Sequence, residues 1–90
     1  MMCLDKVKQL LSEDNTEQAL LLLDQYIEEN PTADEAFYLR GNAYRKLEDT
    51  QKAINNYLIA AELNPDSPAL PAYKMMIKIL NFYNPDMFNH

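Results

Sequence analysis

Residues able to do covalent or acid-base chemistry are few in this chain of 90 residues. Its one histidine, His90, stands at the last position and its one cysteine, Cys3, at the third. A Cys-His pair, a Ser-His-Asp arrangement or a histidine-based metal cluster therefore cannot be assembled on a folded element. A single thiol excludes an intrachain disulfide, and a reducing compartment is the simplest setting. With Gly41 the sole glycine, there is no Gly-rich loop to cradle a phosphate. What remains are paired carboxylates, Glu28 with Glu29 and Asp34 with Glu35. Side chains adjacent in sequence point apart on a helix, so these read as a solvated acidic face and not as an acid with its base. No catalytic residue, metal or cofactor is expected.

Charge is more informative by position than in total. The formal net charge of −6 repels a phosphate backbone, whose binding needs Lys and Arg to release condensed counterions, and this argues against nucleic acid as a partner. Between Gln9 and Leu39 there is no Lys or Arg, while acidic residues fall at positions 13, 14, 17, 24, 28, 29, 34 and 35. The basic residues concentrate elsewhere, at Lys6 and Lys8 and again at Arg40, Arg45 and Lys46.

The elements that carry these charges are helices. Prolines at 31, 65, 68, 71 and 85 each fall where a helix could start or stop. The hydrophobic fraction of 48% and charged fraction of 24% are those of an ordinary folded chain, though one this small buries only about 60 to 65% of its unfolded surface. Apolar residues recur at three and four residue steps, which predicts five helices at residues 2 to 12, 16 to 29, 33 to 47, 50 to 63 and 69 to 83. In the second, Ala19, Leu20, Leu22, Leu23, Tyr26 and Ile27 make one buried face. Expected caps are the polar run Ser12 to Asn15 before the second helix, a Thr32 and Glu35 capping box before the third, Asp49 or Thr50 before the fourth, and Ser67 before the fifth. The predicted core is Leu10, Ala19, Leu20, Leu23, Ile27, Phe37, Tyr44, Ala53, Ile54, Tyr57, Ala60 and Ile77. The N-terminal stretch lacks the continuous apolar core of a signal peptide, and the longest apolar run, Ala19 to Leu23, is far short of the roughly 18 residues of a membrane span. A cytoplasmic protein without a membrane partner is expected.

An internal repeat organises the helices. At an offset of 34 residues Thr16 aligns with Thr50, Ala19 with Ala53, Glu28 with Glu62, Asn30 with Asn64 and Pro31 with Pro65. The stretch 34 to 67 contains Phe37, Gly41, Tyr44, Ala53, Tyr57, Ala60 and Pro65 at spacings that resemble a tetratricopeptide repeat, although Arg40 stands where leucine is usual. Gly41 is read as a close-approach position against Ala53 of the neighbouring helix. The resemblance implies an all-α fold of antiparallel helix-turn-helix units in one domain. Residues 1 to 33 would be a degenerate first repeat, with Val7 where Gly41 stands, and 34 to 67 a complete one. Residues 68 to 84 would be a capping helix whose Lys74, Lys78 and Asn81 form a polar stripe, and 85 to 90 a tail.

By the same resemblance the first helix of each pair lines a concave groove and the second lies on the convex side. That places Lys8, Tyr38, Asn42, Arg45, Lys46 and Met76 in the groove, and Glu17, Asp24, Glu28, Glu29 and Glu62 opposite. A protein-protein interaction module is implied, taking an anionic or amphipathic segment of another protein. Chaperone-binding members grip a terminal carboxylate with a Lys and Asn clamp. Asn42 fits one clamp position, but Lys8, Tyr38, Ala69 and Tyr73 do not supply the others, which excludes that ligand. The alternative is a self-associating unit, a homodimer closed by apolar surface. Phe82, Tyr83, Met87 and Phe88 are expected to cluster, either over the end of the last helix or against a second chain.

Overall fold

The computed structural model describes residues 4 to 83. These form α1 (Leu4–Ser12), α2 (Thr16–Glu29), α3 (Asp34–Lys46), α4 (Thr50–Leu63) and α5 (Ala69–Tyr83), with no strand among the described residues. The predicted boundaries agree within about one residue wherever both ends are described. Each helix packs on the one before it, and α1 also touches α3. Connections this short fold each helix back antiparallel on its predecessor. Part of the expected tail cluster, Met87 and Phe88, lies outside the described residues, as do the first residues of the predicted N-terminal helix.

The 34-residue repeat is written into the backbone. Among the described residues Asp14 and Glu48, 34 apart, are the non-glycine residues with positive φ, each at 61°. Around the first, the Asp14 N–H donates to the Leu11 carbonyl at 3.1 Å and the Asn15 N–H to the Leu10 carbonyl at 2.8 Å. Around the second, the Glu48 N–H donates to Arg45 at 3.0 Å and the Asp49 N–H to Tyr44 at 2.9 Å. Both are left-handed helix ends that satisfy the last carbonyls of α1 and α3 before the chain reverses.

The caps are less uniform than the sequence implied. Asp49 caps α4, its carboxylate accepting from the Lys52 N–H at 3.2 Å. Its counterpart Asn15 makes no side-chain cap bond to α2. The Thr32 and Glu35 capping box does not form either. Ala33 is the N-cap of α3, which leaves Thr32 one residue too early to reach the first turn. Before α5 the Ser67 hydroxyl accepts from the Ala69 N–H at 3.0 Å, with Pro68 directly after the cap. Pro71 has no N–H to give the Ser67 carbonyl, and Leu70 donates to it instead at 3.1 Å.

Two apolar clusters make the core. One joins α1, α2 and α3 through Val7, Leu10, Leu11, Ala19, Leu23, Ala36, Leu39 and Ala43. The other joins α3, α4 and α5 through Phe37, Ala53, Ile54, Tyr57, Ala60, Ala69 and Met76. Ile27 and Tyr38 pack against both. Of the predicted core, Leu20, Ile27, Tyr44 and Ile77 are half-buried and the rest buried.

The close approach at Gly41 is real, but its partner is not the one expected. A Cβ built on Gly41 would stand 2.6 Å from both Cδ1 and Cε1 of Tyr57, so the glycine makes room for the tyrosine ring and not for Ala53. In the first repeat the corresponding pair, 34 residues earlier, is Val7 and Leu23, both without solvent exposure and both in the same cluster. Small against large has become medium against medium, without the ring for which the glycine makes room.

Arg40, at the family's leucine position, does a different job. Its guanidinium sits 5.3 Å over the Phe37 ring. Nε donates to Asn56 Oδ1 at 2.8 Å and Nη1 to Asp24 Oδ1 at 2.9 Å. One side chain of α3 thus ties α2 to α4, and the buried Asn56 completes its bonding through Nδ2 to the Lys52 carbonyl at 2.9 Å.

Candidate functional site

The contact between α1 and α3 sets a shallow depression of about 260 Å³, lined by Lys8, Leu11 and Ser12 from α1 and by Leu39, Asn42, Arg45 and Lys46 from α3. Steps of three and four residues put each set on one face of its helix. Leu11 and Leu39 are buried and form an apolar floor. Three cationic side chains rim it. Lys8 Nζ lies 3.6 Å from Glu35 Oε2, and Lys46 Nζ 3.3 Å from Asp14 Oδ1. Both are loose, solvated pairs, which contribute little to stability. Among the described residues Arg45 has no carboxylate within ion-pairing distance.

Asn42 is held from below. The Tyr57 hydroxyl donates to its Oδ1, which fixes the amide and leaves Nδ2 as the group Asn42 can offer outward. Burial pushes the Tyr57 phenol above its ordinary value of 10.0, Arg45 opposing and Tyr38 adding to the rise. The phenol therefore stays a neutral donor throughout the physiological range. Tyr38 packs on it with ring centroids 5.9 Å apart and planes tilted by 40°.

The residues matched by the family model of the tetratricopeptide repeat are 34–67, the span from the start of α3 to Ser67. A solved structure agrees over nearly the whole chain. Bacteroides fragilis protein BF1650, determined in solution by NMR, is 56% identical, with a TM-score of 0.88 over 99% of this chain and 91% of that one. Residues 34–67 of this chain form a tetratricopeptide repeat. No curated protein matches the chain. Tetratricopeptide repeats generally mediate protein-protein interactions.

Within this repeat fold the six groove residues read from the sequence divide three ways. Lys8, Asn42, Arg45 and Lys46 meet in the one depression. Tyr38 is half-buried beside it, bridging the two core clusters. Met76 is the correction: only 5% exposed, it belongs to the core between α4 and α5. Its neighbour Met75 points outward instead, because α5 is rotated to bury Met76, Ile77 and Leu80 against α4. Leu11, Ser12 and Leu39 were missed as lining residues. Their spacing from Lys8 and Asn42 could have placed them on the same helix faces, but only the contact of α1 with α3 joins the two sets. Glu17, Asp24, Glu28, Glu29 and Glu62 are exposed on α2 and α4.

Among the described residues no three His, Cys, Asp or Glu side chains are placed to share a metal ion. None of the described helices is long and apolar enough to cross a membrane.

Proposed function

We propose that this chain is a protein-interaction module whose α1 and α3 depression receives an anionic or amphipathic segment of a partner protein. The supporting observation is the meeting of Lys8, Asn42, Arg45 and Lys46 around a floor of Leu11 and Leu39. Donors ring an apolar base, which suits a segment carrying acidic groups beside an apolar anchor. The cations steer the encounter, and Tyr38 adds contact area beside them. Residues 34 to 67 act as the complete repeat, 1 to 33 as its degenerate companion and 68 to 84 as the terminal helix. The setting is cytoplasmic, with no nucleic acid partner.

The test is a titration of acidic amphipathic peptides against the domain, followed by the double substitution Arg45→Glu and Lys46→Glu. Binding should weaken at least about tenfold and lose most of its salt dependence. Equal affinity of the reversed variant for a peptide that binds the parent would overturn the reading. Self-association is the second reading. It is favoured by the outward-facing Leu58, Ile59, Leu63, Met75 and Ile79 of α4 and α5.

A further inference from the structure

The α5 helix presents a face that the fold elsewhere covers with a helix. Shifted by 34 residues, Gly41, which receives Tyr57 of α4, corresponds to Met75. Among the described residues no helix lies over Met75, and it and Ile79, one turn on, are 44% and 42% exposed. Lys74 and Lys78 flank them, and α5 carries no acidic residue at all. Methionine at the glycine position excludes the close seating seen between Gly41 and Tyr57. The Val7 and Leu23 pair shows what this position accepts when it holds a larger side chain, namely leucine. The occupant that fits is therefore a helix with an outward leucine between acidic residues.

The other end of the same molecule has one. Leu21 of α2 is 65% exposed. Glu17 and Glu28, four before and seven after, share its face, and α2 carries no basic residue. Beside Leu21 a depression of about 330 Å³ lined by Lys6, Leu10, Gln18, Leu21, Leu22 and Gln25 opens between α1 and α2. Its apolar wall is Leu10, Leu21 and Leu22, with Lys6, Gln18 and Gln25 at its polar side.

We propose that copies of this chain associate head to tail, the Met75 and Ile79 face of α5 docking on the Leu21 face of α2 in a second copy. Lys74 and Lys78 then meet Glu17 and Glu28 across the contact. The union is heterologous: each added copy leaves one α2 and one α5 face open, so assembly passes beyond a dimer, to a ring or an open filament according to the rotation between copies. This contact is separate from the α1 and α3 depression, and its failure leaves that reading untouched.

Sedimentation velocity of the whole chain over a wide concentration range tests it. The parent should rise in average mass with concentration beyond two chains, and should shift toward monomer as salt is raised. Leu21→Glu and Ile79→Glu, each at an exposed position, should each weaken association at least about tenfold. Mixed together they should form a pair and stop, because the intact α5 of the first meets the intact α2 of the second. If circular dichroism shows either variant to be less helical than the parent, Leu21→Gln and Ile79→Gln replace them with the same expectation. A parent that stays monomeric overturns the proposal. So does a Leu21→Glu variant that self-associates as the parent does, since α5 would then be meeting α5, and so does a mixture that fails to pair.

Discussion

Gly41 and Tyr57 form a close complementary pair, and the energetics there run against helix propensity. Gly41→Ala gains about 1 kcal/mol of helix preference but places a Cβ 2.6 Å from a ring with no exposed surface and nowhere to move. Overpacking of this kind costs about 1 to 3 kcal/mol. The expected outcome in denaturant unfolding is a net loss of roughly 1 kcal/mol in the parent background. With Tyr57→Leu already present, the same Gly41→Ala should become stabilising, and a change of sign between the two backgrounds is the check. The same tyrosine makes stability pH-dependent. Its phenol ionises above 10.0 when folded, so above about pH 10 the unfolded chain binds fewer protons than the native one. Stability is fully present below that pH and falls as pH rises, until the native phenol has ionised as well. Tyr57→Phe should flatten this alkaline slope.

Helix ends and one inter-helix tie decide the stability of the elements. Glu48 closes α3 in a left-handed conformation that costs a residue with a Cβ about 1 to 2 kcal/mol, and glycine adopts it freely. Glu48→Gly should raise stability by about 0.5 to 1 kcal/mol after the larger entropy loss of glycine is counted, read as a higher melting temperature. Arg40→Ala should act in the other direction. It frees Asp24 into water at little cost but leaves Asn56 Oδ1 without its donor in a buried setting. A loss of about 1 to 3 kcal/mol is expected, and Arg40→Ala with Asn56→Leu should recover much of it in a double-mutant cycle.

At the scale of the whole molecule two clusters meet end to end in a shape of 48 × 26 × 18 Å. Ile27 and Tyr38, packed on both, couple them. Unfolding is accordingly expected in one transition by circular dichroism and by tyrosine fluorescence alike. Tyr38→Ala should separate the two midpoints or lower both, since it removes a ring shared between the halves. The charge layout has the same scale: acidic residues cover α2, Lys8, Arg45 and Lys46 collect at one depression, and Lys74 and Lys78 stand on α5. Salt should therefore act on association far more than on folding, whose exposed ion pairs contribute little.

Local pattern alone determined the helices, their order and the 34-residue repeat. Apolar periodicity, prolines and polar caps act within a few residues of where they stand, and they need no partner to be read. The resemblance to the repeat family put Lys8, Asn42, Arg45 and Lys46 on first helices, while Leu11, Ser12 and Leu39 joined them only through the contact of α1 with α3. What needed tertiary structure was every decision taken between helices. Gly41 faces Tyr57 and not Ala53, because the axial offset of α3 against α4 is set by the whole interface. Met76 turned inward and Met75 outward, because α5 rotates to bury its larger apolar arc on α4. The family's leucine position became a polar tie in Arg40, because Asp24 and Asn56 arrive from two other helices. Sequence spacing measures distance along a chain, and these choices are made across it.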